Sequence, residues 1–262
     1  MQKQINRLLS LVVALVMVIG LLPPITLEAK AATTDEINAW DVKSEEQWAA
    51  FNAYDHITNG TCPVCGDAAW QALPTGRSGV ANNLAAGHYY LDTENWTSSD
   101  RYGTLTVASG TVCIYLASGV SAVAKLAVKG GNVNLLGNGQ LLYNATSQPV
   151  AVTDGELTVY GGRIRGGYTS YSGTGAAIQV DGGTLNLTGT AEVYDGTATG
   201  NGGNIYVKAG ATANIGGFAQ VYNGTGAAGG NVFNLGTLNI SGNAQIHGGT
   251  TSTNNYGGNI FA

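Results

Sequence analysis

Gly202-Gly203-Asn204-Ile205 returns as Gly229-Gly230-Asn231-Val232 and again as Gly257-Gly258-Asn259-Ile260, with a weaker copy, Gly175-Ala176-Ala177-Ile178, upstream. The copies are about 27 residues apart, and a fixed period of that size marks a solenoid. Two further strings keep step. Thr184-Leu185-Asn186-Leu187 is matched by Thr237-Leu238-Asn239-Ile240 and more loosely by Thr212-Ala213-Asn214-Ile215. Ala191-Glu192-Val193-Tyr194-Asp195-Gly196 is matched by Ala219-Gln220-Val221-Tyr222-Asn223-Gly224 and by Ala244-Gln245-Ile246-His247-Gly248-Gly249.

Three short strands per period predict three parallel sheets wrapped about one axis, with the rest of each turn serving as the crossover that parallel strands require. Alternation within each strand sets what points inward: Leu185 and Leu187, then Val193, then Ile178, and their equivalents one turn on. Each buried aliphatic contributes roughly 1.5–3 kcal/mol. Set against the entropy of ordering ~27 residues, the few such contributions leave a single turn marginal alone, and stability comes from stacking. Glycine suits the corners, where φ is positive or backbones approach closely. Asn204, Asn231 and Asn259 share one register and predict a ladder of stacked amides.

On this spacing residues 88–262 divide into about six full turns. The first is assigned to His88–Leu91, Thr104–Val107 and Val112–Leu116, and a seventh opens at Ile260. The chain stops in mid-turn at Ala262, which reads as truncation of a longer protein.

The composition agrees with an all-β solenoid. Gly is 40 of 262 residues, charged residues are only 10%, and hydrophobic residues are 44%. This is not the low-hydrophobicity, high-charge mix of disorder. Gly does not recur every third residue, so collagen is excluded. A net charge of −5 without a basic cluster argues against a nucleic-acid partner.

Ahead of the solenoid stand two other pieces. In residues 1–31, Lys3 and Arg7 precede an apolar run from Leu8 to Leu22, and Ala29-Lys30-Ala31 offers an A-x-A cleavage site. This is the form of a secretory signal peptide. Pro23 and Pro24 end the run short of the ~20 residues a comfortable span needs, so the mature chain is expected to be exported, without a membrane span. Residues 33–87 form a small N-terminal segment of their own. Within it, Ser44-Glu45-Glu46-Gln47 has the form of a capping box and predicts a helix from about Glu45 to Tyr54. Its Trp48 and Phe51 make it a candidate cap over the apolar interior of the first turn.

The same segment holds Cys62-Pro63-Val64-Cys65-Gly66, half of a zinc knuckle. His56, Cys62, Cys65 and His88 make the four-ligand set that does not draw on Cys113 of the solenoid, and structural zinc is the one cofactor expected. A disulfide, which export favours, and a redox pair compete with it. The redox reading calls for a βαβ context that this segment lacks.

On the outward side, Tyr194 and Tyr222 stack in register, as do Tyr206 and Phe233. Such columns serve as cross-strand packing. They are also the candidate contact strip for a carbohydrate or a protein. Arg163 and Glu192 are register neighbours able to pair. A catalytic site needs two or three carboxylates close together. Asp154 and Asp181, near one corner, are the nearest approach to that, and each also fits as a turn-favouring Asp before Gly. No catalytic residue is therefore assigned.

The period, the GGN-Ile/Val strings and the T-L-N-Leu/Ile strings resemble the right-handed parallel β-helix of the pectate-lyase-like superfamily, and within it the repeat-rich surface and adhesin-like proteins of bacteria. The GG-x-[ILV] repeats are also similar to those of polymorphic outer-membrane proteins. The resemblance implies the fold over residues 88–262. It implies less about activity, because the superfamily includes lyases, hydrolases and non-enzymes. The expectation is a secreted or cell-surface, non-catalytic stalk or adhesion module, with a polysaccharide lyase or glycoside hydrolase as the alternative.

Overall fold

The computed structural model describes residues 43–54, 56–57, 59–74, 81–92, 101–142, 148–167, 173–252 and 256–262. Residues 1–31, where a signal peptide is expected, lie outside them.

Three stacked parallel sheets form a β-helix of about six turns, with, among the described residues, one short helix on its N-terminal side. The repeats fall where their period puts them. Ile178–Val180, Ile205–Val207, Val232–Asn234 and Ile260–Phe261 pair in one sheet. Thr184–Leu187, Thr212–Ile215 and Thr237–Ile240 pair in a second. Glu192–Tyr194, Gln220–Tyr222 and Gln245–His247 pair in a third. Each residue sits over its equivalent one turn away, so Ile178, Ile205 and Val232 form a buried column, as do Ile164, Val193 and Val221. Upstream, the strand Val150–Val159 runs unbroken from the first sheet into the second, and Ser121–Gly137 passes through all three. The inward positions of the last turn are less covered, and Ile240 is 48% exposed.

The glycine-glycine-asparagine string does three separate jobs. The first Gly of each copy takes positive φ, +69° at Gly202, +58° at Gly229 and +59° at Gly257. At the second position the neighbouring turn comes too close for a side chain: a Cβ on Gly203 would run into the carbonyl oxygen of Gly230. The Asn then turns inward at the corner. Asn204 Nδ2 donates to Asn231 Oδ1 at 2.8 Å, and Asn231 Nδ2 donates to Asn259 Oδ1 at 3.0 Å. The Oδ1 atoms of Asn204, Asn231 and Asn259 accept the backbone N–H groups of Gly196, Gly224 and Gly249, each at 2.8 Å. Asn204 and Asn231 are wholly buried, and this bonding is what makes a buried amide tolerable.

Two expectations change at the N-terminal end. The coil begins before residue 88: Trp70–Ala72 already pairs with His88–Tyr90, and Ala81–Asn83 with Thr104–Thr106. The first turn is also one sheet out of phase with its assignment. His88–Leu91 pairs with Cys113–Leu116 in the second sheet, while Thr104–Val107 pairs with Lys125–Val128 in the first. No GGN string precedes the first-sheet strands there; the copy at Gly130-Gly131-Asn132-Val133 follows one instead. The third-sheet strand 121–123, which pairs with 140–142, runs straight on into the next strand and hides the boundary.

The capping box forms as expected. Gln47 N donates to Ser44 Oγ at 3.3 Å, Ser44 N donates to Gln47 Oε1 at 2.8 Å, and the helix spans Glu45–Ala53. It does not cap the end of the coil. It lies along the flank, where Trp48 and Phe51 pack on Tyr160, just past the end of a second-sheet strand, with Tyr115 and Leu136 in the same cluster. Asn52 Nδ2 donates to the carbonyl oxygen of Tyr160 and to Thr190 Oγ1, both at 3.1 Å. The reason is the outward face of the early turns. Tyr115, Leu136 and Tyr160 make that face apolar, and a buried aromatic side chain is stabilised by covering it.

Candidate metal centre and aromatic columns

One outward column of the second sheet runs Trp70, His88, Cys113, Asn134, Thr158, Asn186, Asn214, Asn239. Adjacent strands stand about 4.8 Å apart, so the side chains of His88 and Cys113 project side by side. The N-terminal segment brings a second pair to the same place. Thr61–Cys62 and Gly66–Asp67 form a small antiparallel hairpin in which Cys62 faces Gly66. Gly66 takes φ +85°, a conformation that closes the Cys62-to-Cys65 turn and points both thiols one way.

Four ligand atoms meet there, from Cys62, Cys65, His88 and Cys113, all within 4.8 Å of one another. The sulfur separations are 3.6 Å for Cys62–Cys65, 3.4 Å for Cys62–Cys113 and 3.3 Å for Cys65–Cys113. His88 Nε2 stands 3.3 Å from Cys65 Sγ. Cys62 and Cys113 are buried, and Cys65 is exposed. All three cysteines are free. Their sulfurs lie well beyond the ~2.05 Å of a disulfide.

The charges in this cluster are uneven. Contact with Cys113, then with Cys62, and the adjoining His88 hold the Cys65 thiol down at about 2. Contact with Cys62, then with Cys65, and burial push the Cys113 thiol up. At Cys62 the pull of Cys113 is outweighed by Cys65 and by burial, leaving it raised to about 11. Like charges this close disfavour each other unless a cation joins them.

Of the four residues expected as ligands, the structure brings together Cys62, Cys65 and His88, with Cys113 as the fourth. His56 is not in the group. It is buried, its Nε2 stands 3.2 Å from the carbonyl oxygen of Phe51, and its ring packs among Phe51, Tyr54 and Tyr115. The phase of the first turn explains the substitution. With His88–Leu91 placed in the wrong sheet, His88 and Cys113 stand in different columns. In the true register they are neighbours. Residues 88–91 and 113–116 both end in Tyr-Leu, a signal sufficient to set that register.

The aromatic columns form and stack face to face. Tyr194 and Tyr222 have centroids 5.3 Å apart at 11°, and His247 continues the stack at 5.4 Å and 5°. Tyr206, Phe233 and Phe261 stack at 5.7 Å and 4.9 Å, both at 4°. The hydroxyls of the first column are also engaged: Tyr222 Oη donates to Glu192 Oε2 at 2.7 Å, and Gln140 Nε2 donates to Tyr194 Oη. Glu192 therefore meets Tyr222 rather than Arg163, and among the described residues an ion pair joins Arg165 to Asp195 at 3.4 Å. Phe233, expected on the outward surface, is only 7% exposed, with a ring on each side of it. Tyr194, Tyr222 and Tyr206 remain half-buried, presenting edges to solvent.

The two candidate acids are each held locally. Asp154 Oδ1 accepts the N–H of Gly155 at 2.8 Å, and both oxygens of Asp181 accept from Gln179 Nε2 at 3.0 and 3.1 Å. Asp154 lies in register with Lys129, and Lys208 follows the strand stacked on that of Asp181. Among the described residues no helix is long and apolar enough to cross a membrane. In comparisons with known proteins the chain matches no family model, no curated protein and no solved structure.

Proposed function

We propose that this chain is a non-catalytic β-helix module, exported to the cell exterior, that serves as a rigid stalk or adhesion module. One observation carries the reading: the outward groups of the coil bond and stack with their own equivalents one turn away. Tyr194, Tyr222 and His247 cover each other's ring faces, and Asn186, Asn214 and Asn239 pass hydrogen bonds along their column at 2.7 and 2.8 Å. Groups used in this way stiffen the coil, and the carboxylates of Asp154 and Asp181 are occupied by neighbouring donors. Export is supported by the signal-peptide pattern of residues 1–31. The repeats support kinship with the pectate-lyase-like superfamily and with bacterial surface proteins.

A carbohydrate or protein partner would meet the edges of Tyr194, Tyr222 and Tyr206. Phe233 would support that strip from within. The test offers the purified chain acidic and neutral polysaccharides with calcium, alongside a glycan array. The expected result is no turnover. Binding that disappears on joint Tyr194→Ala and Tyr222→Ala substitution would make it an adhesion module, and no binding leaves a stalk. Turnover abolished by Asp181→Asn would overturn the reading in favour of a polysaccharide lyase or hydrolase.

A further inference from the structure

We propose that Cys62, Cys65, His88 and Cys113 bind a single structural zinc ion, which fastens the N-terminal hairpin to the first turns of the coil. The geometry is that of a tetrahedral site. With zinc–sulfur bonds of about 2.3 Å, the sulfurs of a tetrahedral centre stand about 3.8 Å apart. The three sulfurs here form a near-equilateral triangle of 3.3–3.6 Å edges, a slightly contracted face of that tetrahedron. His88 supplies the fourth corner: its Nε2 stands 3.3 Å from Cys65 Sγ, and the four ligand atoms lie within 4.8 Å of one another. A disulfide joins two sulfurs and leaves the third and the imidazole without a role. A four-coordinate ion uses all four.

The ligand set selects the metal. Three thiolates and one imidazole in tetrahedral array suit zinc, and no position is left open for substrate, so the site is structural rather than catalytic. Its ligands come from two parts of the chain that the backbone alone does not hold together. Cys62 and Cys65 belong to the hairpin; His88 and Cys113 belong to successive strands of the second sheet. Supporting contacts surround them. Asn134, next in the column, donates Nδ2 to Cys113 Sγ at 3.7 Å, and the ring of Trp70 meets that of His88 edge-on at 5.2 Å. Binding takes up the ion with release of the thiol protons to solvent, and no electrons are transferred.

The site is independent of whether the coil is a stalk, an adhesion module or an enzyme. Its test uses the full chain, purified without a metal-binding tag and kept reduced in micromolar zinc. Elemental analysis and native mass spectrometry should find one zinc per chain. Cobalt(II) in its place should give the visible absorption of a tetrahedral centre with sulfur-to-metal charge transfer. Cys113→Ser and His88→Ala should each lower the zinc content several-fold in competition with a chromophoric chelator. His56→Gln should retain one ion per chain. A chain without zinc under these conditions would overturn the proposal, whether its thiols are free or two are joined with loss of two hydrogens. So would retention of full stoichiometry in Cys113→Ser alongside its loss in His56→Gln. Should the variants fail to fold, the cobalt spectrum of the unaltered chain decides alone: octahedral bands without charge transfer would overturn it.

Discussion

The early and late turns of the coil share one backbone plan and differ in what their outward columns contain. From Asn186 to Asn239 the second sheet presents the same residue on each turn, and each amide finds its partner in the next. From Trp70 to Asn134 the same column holds four different residues. These do not form a uniform ladder: Asn134 reaches Cys113 and Trp70 meets His88 edge-on, but no residue repeats from turn to turn, and it is there that the N-terminal segment lies, with Cys62 and Cys65 among the packed residues. A repeated side chain makes a flank self-sufficient, while a varied one requires material from elsewhere in the chain. The inward columns do not show this contrast, because aliphatic packing depends on volume and not on pairing.

The comparison is tested by perturbing each region and measuring amide hydrogen exchange in both. Trp48→Ala removes the wholly buried ring that the flank and helix share, an expected loss of about 3–5 kcal/mol of local stability. Exchange should rise across residues 45–54 and 59–74 and around Gly189 and Thr190, which the helix touches, and stay unchanged over 220–247. Ile205→Ala, deep in the late coil, should cost about 2–5 kcal/mol and act in the opposite sense, raising exchange in the turns on either side. If either variant loosened both regions equally, the regions would be one cooperative unit.

Asn231→Ala sharpens the role of the ladder. It strips acceptors from the N–H of Gly224 and the amide of Asn204, at about 1–3 kcal/mol for a buried group left without its bond, read as a lower denaturant midpoint. Tyr222→Ala should have the smallest effect, about 0.2–1 kcal/mol for each of its two ring stacks, because its ring is half-buried and lies on the flank. A thermal shift from Tyr222→Ala as large as that from Asn231→Ala would mean that the aromatic column, and not the amide ladder, holds the late turns in register.

The late turns are legible in the sequence because their corners repeat. Gly202, Gly229 and Gly257 fix the period, and alternation in Thr184–Leu187 fixes the inward face; strand, register and amide ladder all follow from those. In the early turns the one such string, Gly130-Gly131-Asn132-Val133, falls at a different corner, between the first and second sheets, and does not mark the period. Spacing alone puts His88–Leu91 in the wrong sheet, because it cannot distinguish three sheets when strands such as Ser121–Gly137 run through their corners. The misplacement carries into the site: Cys113 becomes visible as a neighbour of His88 only in the true register, and without it His56, near Cys62 in sequence, stands in its place. The helix itself is set by local capping chemistry at Ser44 and Gln47. Where it docks depends on Tyr115, Leu136 and Tyr160, which are brought together only by stacking.

The asparagine corner also bears on how such a chain could change length. A copy of residues 204–230 spliced in after Gly230 would meet an Asn on either side, so every amide in the lengthened row would still find a mate. The gene could gain or lose whole rungs there by unequal recombination without a compensating substitution. A similar copy of the stretch from His88 to Val112 would place a second imidazole where the hairpin has no further thiol to offer. Growth is therefore permitted at the repetitive end and blocked at the other.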